Sequence, residues 1–346
     1  MKAAVFEQFQ TPLVVQDVAD PTPHPDSAII AVRSCGLCRS DWHGWMGHDS
    51  DVQLPHVPGH ELAGIIVAIG ANVRRWKPDT RVTVPFCCGC GDCPQCYSGN
   101  QHICDHYTQP GFTQWGAFAE YVEIRHADVN LVELPDSVDF TTAASLGCRF
   151  ATSFRGVVVQ GRLQAGEWLA VHGCGGVGLS AIMIGAAIGA RVVAVDVRPD
   201  RLELARICGA THLIDATTNP PVAAIQSLCD GGVHVSVDAL GSHHTCRNSI
   251  LSLRKRGRHV QIGLMSGPAA DPPLPMAAVI GKELELLGSH GMQAFEYPRM
   301  LAMMADGQLQ PDRLISNRVT LTEAAELLPR MHQFPGSGVT VIDRFV

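Results

Sequence analysis

The sequence predicts an α/β protein in which a doubly wound parallel sheet is inserted into a strand-rich domain. Three observations carry this expectation. From Gly166 onward, apolar strand-like runs alternate with helical stretches, and the first strand leads into the glycine turn Gly173-Cys174-Gly175-Gly176-Val177-Gly178. Residues 1–34 instead alternate apolar and polar positions around a turn at Pro21, Pro23 and Pro25, a pattern of short strands. After residue 289 two helical stretches and a last strand, Val339–Ile342, form a tail that returns to the first domain. The expected division is 1–150, with a thiol-rich lobe at 87–104, then 151–288, then the return 289–346.

Composition sets the outer limits. A chain of 346 residues with 46% hydrophobic and 17% charged residues is long enough for two cored domains and excludes general disorder. A formal net charge of -7 gives no reason to expect nucleic acid as a partner. The basic run Arg254, Lys255, Arg256, Arg258 is expected to be a solvated helix end. No uncharged apolar stretch reaches membrane-spanning length, and MKAAVFEQF lacks a signal-peptide core. Thirteen cysteines is an odd number, and several sit in ligand-like spacing. Reduced, metal-binding thiols in a cytoplasmic protein explain them more simply than disulfides do.

In the first domain a half-buried strand, Ser27–Arg33, delivers the chain to GLCRSDWHGWMGH at 36–48, dense in ligand-capable side chains. PGHELAGIIVAIG follows, with His60 and Glu61 just before a strand, and KPDTRVTVPF supplies another. The lobe CCGCGDCPQCYSGNQHIC then offers Cys90, Cys93, Cys96 and Cys104. Two-residue gaps bring successive sulfurs onto one tetrahedral ion, and four thiolates leave no place for water or substrate. This predicts a closed, structural zinc site.

An open, catalytic zinc needs three ligands. Cys38 and His60 are the best pair, and Cys148 is the distant third. Buried thiols and a hydrogen-bonded core histidine are the alternative reading of the same residues. Asp41 is either the carboxylate that orients an imidazole ligand or a helix cap. Glu61 is expected to support the site first and to act as an occasional metal ligand second. Trp42, Trp45 and Met46 fit either core packing or a pocket wall.

In the second domain Gly173, Gly175 and Gly178 fall at the first, third and sixth places of the turn. They permit a tight bend, close approach of a pyrophosphate and close helix–strand packing, with Gly176 and Val177 opening the helix. Asp196 ends the next strand, placed to accept ribose hydroxyls and repel a 2′-phosphate, which points to NAD. Strands are expected at Thr211–Asp215, Val233–Val237, 259–264 and 283–288, with helices at about Pro221–Cys229 and Thr245–Leu253 and a proline-rich loop at 268–275. Asp238, Gly241, Gly263 and Leu264 lie at strand ends suited to the nicotinamide half, and Arg201 joins the cofactor-binding candidates.

These segments, in this order, resemble the zinc-containing medium-chain alcohol dehydrogenases, two-zinc bacterial type. The resemblance rests on G-L-C-R-S-D-W-H, P-G-H-E, the C-x2-C-x2-C-x7-C lobe, the G-C segment at Cys148 and the glycine turn. It implies a GroES-like, partly open barrel with an inserted Rossmann domain. It also implies a catalytic zinc on Cys38, His60 and Cys148 and a structural zinc on the lobe. Ser40 and His43 match a proton relay, Asp41 a supporting carboxylate, Glu61 a near-metal glutamate and Thr152 a residue near the nicotinamide. The implied activity is reversible NAD-linked oxidation of a small alcohol to an aldehyde or ketone. The implied assembly is a homotetramer, or else a homodimer. Gly338-Val339 departs from the family's common G-R, so that arginine is missing. Polyol or formaldehyde-type oxidation on the same fold, and a non-enzymatic zinc-binding protein, are the rival readings.

Overall fold

The computed structural model describes residues 1–265, 269–333, 336 and 338–345; Pro268, at the head of the expected proline-rich loop, lies outside them. In chain order the strands are β1 Lys2–Val5, β2 Val14–Asp17, β3 Ala28–Leu37, β4 Glu61–Ile69, β5 Arg81–Thr83, β6 Tyr121–Ile124 and β7 Val132–Glu133. Then come β8 Trp168–His172, β9 Arg191–Asp196, β10 His212–Asp215, β11 Val233–Asp238, β12 Leu253–Gln261 and β13 Glu285–Gly288, and last β14 Ile315–Thr320 and β15 Val339–Arg344. Two compact units result: Met1–Ala151 with Gly291–Asp306 and Ile315–Val346, and Thr152–His290 with Gly307–Leu314. Within the tail, residues 307–314 thus pack with the second unit, although the sequence reading gave all of 289–346 to the first.

The first unit is built on β3. Its ten residues, AIIAVRSCGL, are nearly all buried, so both faces and both edges are covered. It pairs antiparallel with β4, β6 and β15, while β14 runs parallel to β15 at the sheet edge. Gly64 permits the close pass of β4, since a Cβ there would lie 2.2 Å from the carbonyl oxygen of Ala31. Ile30, Leu62 and Ile66 are fully buried at this junction, and truncating any one to alanine should cost about 2–5 kcal/mol.

In the second unit six parallel strands take the order β10-β9-β8-β11-β12-β13. Strand order reverses between β8 and β11, where ligands of such sheets bind beyond the carboxyl ends. The alternation read from the sequence holds here, with two corrections. The basic run is not a helix end. The helix His243–Leu251 stops before it, and Arg254–Arg258 lie in β12, where the register slips between Val233↔Leu253 and Val235↔Arg258. The charges are accommodated because Arg256 meets Glu283 and Arg258 meets Glu167. The second correction concerns 283–288. A helix at Met276–Lys282, absent from the sequence reading, ends on Glu283 in the left-handed region at φ 48°, so the strand starts at Glu285. The tail helix Tyr297–Ala305 buries Tyr297, Met300 and Leu301 along one side.

Candidate metal and cofactor sites

Strand register creates the first site. Gly36 pairs with Glu61 across β3 and β4, so Cys38, just beyond β3, meets His60, just before β4. Cys148 arrives on a wide π-helical turn, Leu146–Phe150, a local irregularity common at functional positions. Gly147 lets that turn lie against β4, because a Cβ there would sit 3.0 Å from Cα of Glu61. Tyr297, fully buried, braces the turn by donating to the Gly147 carbonyl at 3.3 Å. One sulfur each from Cys38 and Cys148 and one nitrogen from His60 lie within 4.8 Å of one another.

Asp41 fixes the imidazole. His60 Nδ1 donates to Asp41 Oδ1 at 2.8 Å, and Gly59 N donates to the same oxygen at 3.0 Å. A carboxylate accepts only, so the ring proton sits on Nδ1 and the lone pair of Nε2 is left for another partner. His60 Nε2 is buried with no hydrogen-bond partner. An orphaned acceptor facing two sulfurs fits a soft or borderline metal ion better than a packed core histidine. Asp41 Oδ2 also accepts from Cys38 N at 2.9 Å, at the start of the helix Arg39–Trp45. One carboxylate therefore both caps the helix and orients the ring.

A hydrogen bond from Cys148 holds Cys38 well below its usual range, and that bond and burial push Cys148 up. Glu61 is not part of the cluster. Its carboxylate turns to Arg149, a residue the sequence reading passed over although it directly follows a candidate ligand. Burial works against the Arg149 charge, but Glu61 more than restores it and raises its pKa.

Ser40 Oγ lies 3.8 Å from Cys38 Sγ. His43 Nδ1 and the Nδ1 of exposed His48 are 3.0 Å apart, which requires one ring to donate and the other to accept. The His43 ring is half-buried among these neighbours. Burial, then the charges of Arg39 and His48, lower its pKa to about 4. Trp45 is core, donating its Nε1 proton to the Thr11 carbonyl at 2.6 Å, whereas Trp42 packs edge-on to His43 and His48.

The thiol lobe is closed and local. Cys90, Cys93, Cys96 and Cys104 converge within 4.8 Å, and none forms a disulfide. Backbone amides point at every sulfur: Asp92 N to Cys90, Cys96 N to Cys93, Gly91 N to Cys96, and both Cys90 N and His106 N to Cys104, at 3.2–3.4 Å. Such donors stabilise thiolates. Gly91 and Gly99 take φ of 77° and 81°, which the wrap demands. Cys87 and Cys88 are buried beside the lobe but outside the cluster.

In the second unit Gly173 has φ 95°, and a Cβ on Gly178 would lie 1.8 Å from the Gly173 carbonyl oxygen. Gly175 faces open space and caps the helix Gly176–Ile188 without a side-chain partner, leaving its first amides free for a phosphate. Asp196 Oδ2 accepts from Cys174 N at 2.6 Å, and Oδ1 from Val197 N and Arg198 N. Asp238 Oδ1 accepts from the amides of Leu240 and Gly241, locking that turn against Gly263 and Leu264; a Cβ on Gly263 would meet Gly241 N at 2.2 Å. Leu264 is exposed, the Thr152 hydroxyl is buried without a partner, and Arg201 sits half-buried on the helix Pro199–Ile207.

A glycine-turn nucleotide sheet in one chain with an open Cys2His cluster defines the class of metal-dependent dehydrogenases. Residues 24–136 match the alcohol dehydrogenase GroES-like domain, and residues 176–306 the zinc-binding dehydrogenase domain. An alcohol dehydrogenase of Geobacillus stearothermophilus is 33% identical over 313 residues, 90% of either chain. Among solved structures, the alcohol dehydrogenase TADH from Thermus sp. ATN1 superposes with a TM-score of 0.91 at 30% identity, covering 100% of both chains. A protein from Sinorhizobium meliloti 1021 bound to NADP gives 0.88 at 28% identity, covering 99% of this chain and 98% of that one. The chain belongs to the zinc-containing medium-chain alcohol dehydrogenase family and is an oxidoreductase.

Proposed function

We propose that the protein is an NAD-dependent alcohol dehydrogenase holding one catalytic and one structural zinc per chain, interconverting a small alcohol and its aldehyde or ketone. The observation that carries this reading is the convergence of Cys38, His60 and Cys148 with His60 Nε2 left unpartnered. Cys38, His60 and Cys148 would hold the catalytic ion, and Cys90, Cys93, Cys96 and Cys104 the structural one. When bound, zinc supplies Lewis acidity toward the substrate oxygen, and the nicotinamide accepts or returns the hydride.

The chain's own residues bind, orient and manage the proton. Asp41 keeps the proton of His60 on Nδ1, so that Nε2 stays basic. Ser40, whose Oγ lies 3.8 Å from Cys38 Sγ, would hold the substrate's hydroxyl proton. His43 and His48 can share a proton between their Nδ1 atoms, with the exposed ring of His48 meeting solvent. Gly173, Gly175, Gly176, Val177 and Gly178 would cradle the pyrophosphate, Thr152, Gly263 and Leu264 would hold the nicotinamide half, and Arg201 would join them in binding the cofactor. Asp196, held by three backbone amides, favours NAD because its carboxylate repels a 2′-phosphate. The neighbouring Arg198 is engaged by Asp200.

None of the 13 cysteines forms a disulfide, which supports a reducing, cytoplasmic setting. No helix among the described residues is long and apolar enough to cross a membrane. A homotetramer, with a homodimer as the alternative, follows from family resemblance and is checked by sedimentation equilibrium. The decisive experiment is a zinc-replete screen of primary, secondary, aromatic and polyol substrates with NAD and NADP, alongside zinc analysis. NADH formation with two zinc ions per chain is expected. Stoichiometric zinc without turnover on any alcohol would favour the structural zinc-protein reading, and a clear NADP preference would remove the role given to Asp196.

A further inference from the structure

Glu61 and Arg149 form a buried pair whose partners are distributed in an informative way. Glu61 Oε1 accepts from Cys148 N at 3.2 Å, from Arg149 N at 3.1 Å and from Arg149 Nε at 3.1 Å, while Oε2 accepts from an Arg149 terminal nitrogen. The other terminal nitrogen of Arg149 donates to the Leu37 carbonyl at 3.2 Å. Leu37, Glu61 and Arg149 are the immediate chain neighbours of Cys38, His60 and Cys148. The pair therefore ties together the three segments that carry the ligands, one residue away from each. Both side chains are buried, and Gly36 is required beneath them: a Cβ there would lie 2.4 Å from Glu61 Oε2 and 3.0 Å from Arg149.

A carboxylate beside a dication would ordinarily be drawn toward it. Here the carboxylate is taken by a bidentate guanidinium and two amides, and leaving them would strand a buried cation. We propose that Arg149 is a positioning residue that fixes the geometry of the Cys38–His60–Cys148 set and keeps Glu61 out of the metal's coordination sphere. This rests on the reading of those three residues as the catalytic metal site.

The test uses full-length protein with cobalt(II) in place of zinc, since d–d band intensity falls when coordination rises above four. Difference spectra against Cys148→Ser isolate this site from the thiol lobe. In Arg149→Met the bands should weaken as Glu61 enters, and zinc release to a chelator should accelerate roughly 10- to 100-fold. Arg149→Met with Glu61→Gln should regain the parent band intensity while release stays fast. Parent-like bands and release in Arg149→Met, or weakened bands persisting in the double variant, overturn the proposal. If Arg149→Met does not fold, Arg149→Lys keeps the charge without the fork and should still release zinc faster than the parent; parent-like release overturns the proposal there too. A parent cobalt spectrum unchanged by Cys148→Ser would sink the underlying metal site, and the proposal with it.

Discussion

The two cysteine clusters are built by opposite means. The lobe gathers four cysteines from one short stretch, aims a backbone amide at every sulfur and leaves no vacant ligand position. The other cluster draws single residues from three segments brought together by sheet register and a π-helical turn, and it offers three ligands. A local wrap needs little besides glycines and the ion. A long-range set needs a prior scaffold, which the Asp41 and Glu61–Arg149 contacts provide. Closure suits a structural ion, whereas an ion on three ligands retains a place for substrate.

The sharpest way to break this comparison is to remove one ligand from each cluster. Cys38→Ala should lower kcat/KM by at least ~10³-fold, the loss of several kcal/mol of Lewis-acid stabilisation, while leaving the far-ultraviolet circular dichroism and most of the thermal stability in place. Cys93→Ala should do the reverse, losing one zinc and several kcal/mol of folding stability, with activity falling in step with the folded fraction. Equal activity of Cys38→Ala and the parent would end the catalytic assignment.

A smaller effect is expected at Asp41. Asp41→Asn cannot hold the proton of His60 on Nδ1 in the same way, so zinc affinity at the open cluster should drop about 10-fold or more with the lobe unaffected, as competition with a graded chelator would show. An unchanged affinity would mean that the ring is oriented by packing against Phe86 and Phe112 instead.

Acid should act on the second unit, which holds neither cluster. Burial lowers the pKa of His172 to about 3 and of His259 to about 4. Both groups stay neutral in the folded state while the unfolded chain binds their protons below pH ~6.5, so their stabilisation is intact above that pH and lost as pH falls toward 4. The two together should cost roughly 2–3 kcal/mol per pH unit in that window. Urea midpoints from pH 7 to 4.5 measure it, and His172→Gln should lessen the slope. The least change is expected at His43: with a pKa near 4 it should contribute no limb near pH 6.5 to kcat/KM. A limb there that disappears in His43→Gln would contradict the burial described above.

Much of this organisation is legible in the chain itself. The lobe's spacing, the glycine turn and the alternation from Gly166 are local signals, since each depends on residues that stay neighbours after folding. The basic run at Arg254–Arg258 was misread because charge says nothing of the acidic partners, Glu167 and Glu283, supplied by distant segments.

By itself the sequence determined which residues are able to bind an ion or cradle a phosphate, because thiol, imidazole and glycine carry those capacities in any surroundings. Only the tertiary structure decided that Glu61 faces Arg149 and not the cluster, that His60 keeps Nε2 free, and that Gly36 must lack a side chain. Those outcomes depend on the pairing of β3 with β4 and on the turn bearing Cys148, contacts between segments far apart in the chain that no local pattern encodes.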